Sequence, residues 1–466
     1  VVVILEENPM RLFAICIAAM FLVAVPQAWS QQADDDQELQ KRVLAVFQSD
    51  EAARDAAIDW MAKRGNMDVA PTLITAYRFA FDAEEKLDAA LQDLTGHQAN
   101  GWFEWMLWQE ANPQVKPHRG YELLRRRLFI AIDSRFDIFF DGHKTHPGNM
   151  RIRLEEIVWG GVPALDGIPS LDNPELIAAA DADYLKPDDL VFGVSINGDA
   201  RAYPLRIMGW HEMFNDVIGG QPVALAYCTL CGSGILYDTS VEGEDGPFVF
   251  GSSGLLYRSN KLMYDQQTHS LWNQFTGEPV TGELAHAGIR LKTLPVAVTT
   301  WREWREANPD TRVLSLETGF RRDYGSGVVY NEYFSSPDLM FPALVREGQD
   351  PRQKDYVFGM RTAGLSRAWP LSAFVDMPVI NDSFGERNVV LIGDPKARTV
   401  RAYVRGQQSF ASDPGGLSDG ATVWSVTEAA LQGPEGQKLE RLPGHIAYWF
   451  AWDGYLGDSA TLYGRD

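Results

Sequence analysis

At 466 residues the chain is long enough for two or three domains, and with 45% hydrophobic and 11% aromatic residues it has a globular rather than a disordered makeup. Its 63 acidic and 42 basic residues leave a formal net charge of -21, which repels phosphate backbones and anionic headgroups. Nucleic acid and membrane surfaces are therefore not expected as partners; neutral, cationic or metallic ones are.

Residues 1–30 read as a secretory leader with a spurious extension in front of it. Arg11 follows Met10 as a short basic start, Leu12 to Val25 is almost wholly apolar, and Ala28-Trp29-Ser30 has the small-x-small form of a cleavage site. Glu6 and Glu7 suit such a leader badly, so Met10 is the expected initiator and Gln31 the expected mature start. The apolar run is shorter than the ~20 residues of a spanning helix, so no stable membrane insertion is expected after cleavage, and the location is periplasmic or secreted. Cys16 leaves with the leader, and two cysteines are too few for a disulfide framework.

Residues 31–160 are assigned to an all-helical domain. After Asp34-Asp35-Asp36, apolar residues recur at three-to-four spacing, as in Leu39, Val43, Leu44 and Phe47 and again in Leu73, Ile74, Tyr77 and Phe81. Gly65, Pro71, Gly96 and Pro113 divide the stretch into helices of ordinary length. Trp102, Trp105 and Trp108 are read as core, and Arg125-Arg126-Arg127 as a solvated helix edge. A helical platform of this kind can also carry a protein partner. Pro163 to Pro174 reads as the linker into the next domain.

From Leu190 short apolar runs alternate with turns such as Asn197-Gly198 and Gly219-Gly220, a strand-and-hairpin texture. One helix, Thr300 to Ala307, is expected from the capping box of Thr300 with Glu303. The run Gly193 to Gly198, Arg201 to Leu205, Trp210-His211-Glu212, Tyr227-Cys228-Thr229-Leu230-Cys231-Gly232 and Leu262-Met263-Tyr264-Asp265 resembles the bacterial domain-of-unknown-function family 3179, over roughly residues 165 to 320. That resemblance implies no assigned activity, so the chemistry is argued from the residues.

The β-rich part contains an internal echo. Arg201-Ala202-Tyr203-Pro204-Leu205 recurs as Arg367-Ala368-Trp369-Pro370-Leu371, and Asn215-Asp216 as Asn381-Asp382. Further on, Trp301 and Trp304 match Trp449 and Trp452. The expected fold class is thus α+β: an N-terminal all-helical domain followed by a duplicated, mainly β domain. A first repeat spans 161–320, a connector 321–354 and a second repeat 355–466. In this register Cys228, Cys231 and His211 fall opposite Asp394, Ala397 and Met377, so the second repeat reads as a structural copy without soft ligands. Asn215 and Asp216, kept in both, are expected to serve backbone hydrogen bonding.

The chemistry concentrates on Cys228-x-x-Cys231, read first as a soft-metal site, with a redox dithiol and a structural staple as alternatives; Gly232-Ser233-Gly234 after Cys231 argue for a turn where a thioredoxin-like dithiol would open a helix. As a metal site, two thiolates on one glycine-flanked turn chelate an ion, with His211 and His269 as imidazole ligands for zinc, or with thioethers from Met208, Met213 or Met263 for copper. As a redox dithiol the pair would carry out thiol-disulfide exchange. As a staple it is weak, since closing a four-residue loop yields only ~1.9 kcal/mol in the chain-entropy picture. Against the metal reading, His211 beside Trp210 also suits a core histidine bonded through both nitrogens. A polar pocket is expected from Glu212, Arg258, Tyr264, Asp265 and Trp272, with Gly251 to Asn260 as its loop and Arg258 as a carboxylate binder.

Overall fold

The computed structural model describes residues 37–346, 351–362 and 364–465, so the leader assigned to residues 1–30 lies outside it. Two compact units divide between Leu124 and Arg125. No helix among the described residues is long and apolar enough to cross a membrane.

The first unit is helical. Helices Glu51–Arg64, Ala70–Ala76, Glu84–Thr95 and Gly101–Ala111 end or begin where the glycines and prolines sit. Gly65 and Gly96 close two of them with φ of 67° and 70°, the left-handed conformation that glycine adopts without a Cβ clash. Ile58, Leu73, Ile74, Leu91 and Trp105 have no exposed surface. Of the three tryptophans only Trp105 is fully buried, donating from Nε1 to Asp88 at 2.8 Å. Trp102 is half-buried beneath the Arg78 guanidinium, and Trp108 half-buried beside His97.

The second unit begins with short helices and becomes mainly β from Ile157–Trp159. Arg125 is buried and donates to the Ile157 carbonyl, so it is no solvated edge; Arg126 pairs with Asp137 at 2.6 Å, and Arg127 is exposed. The Pro163 to Pro174 stretch is also more than a linker. Leu171–Asp172 is a strand running parallel to Met213–Ile218, and the Asp166 amide donates to the Ser252 carbonyl at 3.1 Å.

The hairpin Leu190–Ile196 and Asp199–Pro204 turns at Asn197-Gly198, both with positive φ, the requirement of a tight two-residue turn. It is flanked by Ala297–Thr300 antiparallel and Arg312–Leu314 parallel. The hairpin Tyr356–Thr362 and Leu365–Pro370 is flanked in the same senses by His445–Tyr448 and Ala460–Leu462. Each hairpin is followed by three antiparallel strands: Met213–Ile218, Gln221–Cys228 and Ser233–Asp238 in one case, Val379–Phe384, Arg387–Asp394 and Thr399–Val404 in the other. The helix Trp301–Ala307 forms as expected, with Thr300 Oγ1 accepting from the Glu303 amide.

Asn215 brackets the Phe250 backbone, accepting from its amide at 2.9 Å and donating to its carbonyl at 2.8 Å. Asn381 does the same to Phe410 at 2.8 and 2.7 Å. Asp216 serves the backbone through Oδ1, which accepts from the Val217 amide at 2.7 Å, and adds a side-chain role through Oδ2, which accepts from Arg201 and from the Tyr203 hydroxyl, each at 2.7 Å. Asp382 accepts from Arg367 at 3.0 Å and Trp369 Nε1 at 2.8 Å. The residue pair thus divides its labour: the amide ties down a strand, and the carboxylate neutralises the arginine of the preceding hairpin.

Each hairpin also needs a glycine under a tryptophan. A Cβ on Gly193 would lie 2.2 Å from the Trp304 ring, and one on Gly359 would lie 1.9 Å from the Trp452 ring. Both rings are fully buried and cannot move aside. Gly193→Ala and Gly359→Ala are each expected to lower the unfolding free energy by about 1–3 kcal/mol, the usual range for overpacking. Urea titration measures it; an unchanged midpoint for either would refute this packing account.

Candidate functional site

The strand Gln221–Cys228 is buried from Val223 onward because it runs through the middle of its sheet, between Met213–Ile218 and Ser233–Asp238. Its end turns through Thr229 and Leu230, and Cys228 and Cys231 are joined as a disulfide with Cα atoms 5.2 Å apart. Neither cysteine is exposed beyond 2%. All four carbonyls of the turn are occupied: Cys228 accepts from the Cys231 amide at 3.2 Å, Thr229 from the Gly232 amide at 3.2 Å, Leu230 from the Tyr333 hydroxyl at 2.7 Å, and Cys231 from the Tyr448 amide at 2.8 Å.

Cys228 faces a small cavity of about 40 Å³ that Glu212, Thr229, Lys261, Ile168 and Tyr330 also line. Glu212 follows the short helix Leu205–His211 in the left-handed conformation, φ 56°, which turns its side chain away from His211. Its carboxylate accepts from Thr229 Oγ1 at 2.7 Å and lies 3.4 Å from the Lys261 ammonium. That ammonium also donates to the Glu212 carbonyl at 3.1 Å. Burial pulls the Lys261 pKa below the usual lysine range, while the Glu212 charge pulls it back up. Tyr330 has a left-handed backbone too, φ 55°. Two non-glycine residues with positive φ on one cavity wall are the kind of local cost that folds retain where side chains must be aimed.

His211 is fully buried and engaged at both nitrogens. The Pro169 carbonyl, 2.9 Å from Nδ1, can only accept, so Nδ1 carries the proton and Nε2 accepts from the Tyr324 hydroxyl at 2.6 Å. Burial lowers its pKa, in keeping with a neutral ring. His269 stacks on Tyr264 with ring centroids 6.0 Å apart. Among the described residues no three His, Cys, Asp or Glu side chains gather as a ligand set, so the structure does not bring Cys228, Cys231, His211 and His269 together. Met208, Met213 and Met263 are wholly buried core residues.

Of the expected pocket, Glu212 reaches the cavity. The segment Gly251 to Asn260 is not a loop: strands Phe250–Tyr257 and Asn260–Asp265 form a buried hairpin turning at Arg258 and Ser259, with φ of 49° and 60°. Arg258 pairs with Glu156 at 2.7 Å instead of awaiting a carboxylate ligand. The Tyr264 hydroxyl donates to Asp166 at 2.8 Å, and Trp272 Nε1 to Asp265 at 2.8 Å, both inside the fold. Lys261, Tyr324 and Tyr330 carry no motif that singles them out in the sequence, whereas Thr229 lies inside the Cys-x-x-Cys motif. Lys261 offers the one usable signal, as a lone lysine next to the apolar run Leu262-Met263-Tyr264 of its strand.

The chain belongs to the family described as Protein of unknown function (DUF3179), which matches residues 165–459 and so extends through the region expected to be the second repeat. No curated protein and no solved structure matches it.

Taking the charge off Glu212 leaves the Lys261 ammonium buried with only a carbonyl and a neutral amide. Glu212→Gln is expected to cost about 3 kcal/mol at pH 7. A lysine with lowered folded pKa destabilises the fold while it must stay charged, so the deficit should narrow as pH rises through that pKa toward ~10.4. Urea unfolding at pH 7 and pH 9.5 measures it; a deficit that widens with pH contradicts the assignment.

Proposed function

We propose that the protein is a thiol-disulfide oxidoreductase with Cys228–Cys231 as its redox centre, acting in the periplasm or outside the cell. The observation that carries this reading is the shared cavity: Cys228 of the disulfide and the Glu212–Lys261 pair line the same small space. An external thiolate attacks Cys228 Sγ, the Cys228–Cys231 bond breaks, and Cys231 leaves as a thiolate and takes up a proton. Its sulfur lies 3.4 Å from the Ser259 carbonyl, which can accept from the resulting thiol. A second external thiolate then attacks the mixed disulfide, releasing the external disulfide and the Cys228 thiolate. The balance is two thiols oxidised to one disulfide and one protein disulfide reduced to a dithiol. The Lys261 ammonium favours the Cys228 thiolate by charge, and so also makes it the better leaving group.

We further infer that residues 161–320 and 355–466 are two copies of one β-rich fold, the second serving as scaffold. The matched hairpins, the Asn–Phe brackets, the Arg–Asp pairs and the Gly–Trp contacts support this reading. If both carboxylates are scaffold, Asp216→Ala and Asp382→Ala should each destabilise by about 1–3 kcal/mol, since each change removes an acceptor of the hairpin arginine and leaves a buried ring donor, the Tyr203 hydroxyl or Trp369 Nε1, without its carboxylate. A neutral Asp382→Ala would count against the second copy's scaffold role.

The redox reading is tested on protein purified without chelators or reductant. Alkylation should find no free thiol at Cys228 or Cys231, mild reductant should expose both without unfolding, and no stoichiometric copper or zinc should be present. In the reduced protein the alkylation midpoint of Cys228 should lie below ~8.5. It should rise by about one pH unit in the double variant Glu212→Gln/Lys261→Met, which keeps the cavity free of an unpaired charge. Bound metal with both thiols free would favour the metal site instead, and a disulfide reducible only in denaturant would favour the staple.

A further inference from the structure

Beside the cavity lies an open cleft of about 630 Å³. Ile168, Val162 and Tyr330 line both spaces, so the cleft adjoins the cavity on the Cys228 side of the disulfide. Its other walls include Trp210 and Val329, and its rim carries Arg321 and Arg322. Both arginines are exposed and form no ion pair among the described residues; Arg322 stands 5.8 Å above the Trp210 ring and donates to the Arg321 carbonyl. Asp323 lines the cleft as well, and its carboxylate accepts from the Gly325 amide at 2.8 Å. Trp210 Nε1 donates to the Asp323 carbonyl at 2.8 Å, which fixes the rim segment over the cleft wall.

Resting on the redox reading of Cys228–Cys231, we propose that this cleft binds the exchanging substrate and that the substrate is a small thiol, or its disulfide, bearing a carboxylate. Size argues for a small molecule. With 2% exposure at Cys228 and none at Cys231, the opening beside Cys228 is the narrow inner cavity, which admits a slender CH₂–S arm and not a folded surface. A volume of about 630 Å³ suits a ligand of a few residues' mass. Charge argues for the carboxylate. In a chain of net charge -21, two adjacent arginines without an ion pair among the described residues mark a local reversal of sign, and at contact distance the neighbouring cations outweigh charges beyond a Debye length of about 8 Å. The guanidinium fork matches a carboxylate bidentately. The thiolate entering from this side meets Cys228 Sγ, forms the mixed disulfide there and expels Cys231 as the leaving thiolate.

The test follows native reduction of the disulfide by three small thiols: 3-mercaptopropionate, 2-mercaptoethanol and cysteamine. Rates are read by mass after rapid alkylation and corrected for thiolate fraction. In the wild-type protein the rate with 3-mercaptopropionate should saturate with concentration, while that with 2-mercaptoethanol should stay linear over the same range. In Arg321→Gln/Arg322→Gln the ratio of the propionate rate to the 2-mercaptoethanol rate should fall about fivefold, the scale of an exposed ion pair. The ratio with cysteamine should move the other way. Linear kinetics with 3-mercaptopropionate and an unchanged ratio would overturn the cleft as a carboxylate-thiol site while leaving the redox centre standing. Failure of all three thiols, and of dithiothreitol, to reduce the native disulfide would instead remove the redox reading and the cleft proposal with it.

Discussion

The geometry of the site depends on one constraint: the four consecutive carbonyls of the Cys228–Cys231 turn must all find donors inside a core. A buried carbonyl left without a partner costs about 1–3 kcal/mol, so a turn this deep is stable only if donors are supplied from outside its own hairpin. Two are local amides, and the other two come from Tyr333 and Tyr448, 103 residues further along in the case of Tyr333. Gly232 answers the same constraint from the other side. With φ +60° and the Tyr356 and Tyr448 rings 2.9 and 3.1 Å from where a Cβ would sit, only glycine lets the C-terminal half close on the turn. The disulfide is therefore placed by long-range packing, and it adds little stability of its own.

Charge inside this core is arranged with equal economy. Moving a lysine and a glutamate out of water costs several kcal/mol per ion, and a buried pair repays that only with good geometry and further hydrogen bonds. Lys261 obtains a carboxylate and a carbonyl from the same residue, Glu212, and the second carboxylate oxygen is taken by Thr229. Because Thr229 sits between the cysteines, the pair is coupled to the turn through a single hydrogen bond. A purely structural core would be served as well by apolar side chains of similar volume; under the proposed exchange chemistry, a thiolate at Cys228 would give the ammonium a role.

The outline of the fold was legible because it rests on local rules. Glycine and proline breaks placed the helix ends at Gly65 and Gly96, and alternation with Asn-Gly turns placed the hairpins. What sequence left open was sidedness and distance. Gly251 to Asn260 reads as a polar loop, yet Arg258 and Ser259 form the turn of a hairpin whose small residues are needed for close packing: a Cβ on Gly251 would meet Tyr264 at 2.5 Å. His211 lies next to Glu212 in sequence, yet the left-handed backbone at Glu212 sends the two side chains to different neighbours, one to Pro169 and Tyr324, the other to Thr229 and Lys261. Tyr324, Tyr330 and Tyr333 fall in a stretch with little periodicity, so nothing in their spacing announced that they would close the site.

The counterpart positions of the inferred second copy separate scaffold from chemistry. Cys228 pairs across its hairpin with Ser233, and Asp394 with Thr399, so both turns have the same length. The Tyr227 amide donates to the Glu212 carbonyl at 2.8 Å, and the Gly393 amide donates to the Pro378 carbonyl at 2.9 Å, the same backbone bond displaced by 166 residues. At that bond the first copy has a carboxylate and the second a proline, which keeps the acceptor carbonyl and has no side-chain acceptor to offer a lysine. Thr229 likewise stands opposite Pro395, and the cysteines opposite Asp394 and Ala397. The hairpin length and this backbone bond are thus common to both stretches, whereas the Cys228–Cys231 disulfide and the hydrogen bond from Thr229 to Glu212 belong to the first. The proposed redox centre, with the proposed second copy as scaffold, fits that distribution, since Glu212 and Thr229 stand beside the disulfide while Pro378 and Pro395 occupy the matching positions.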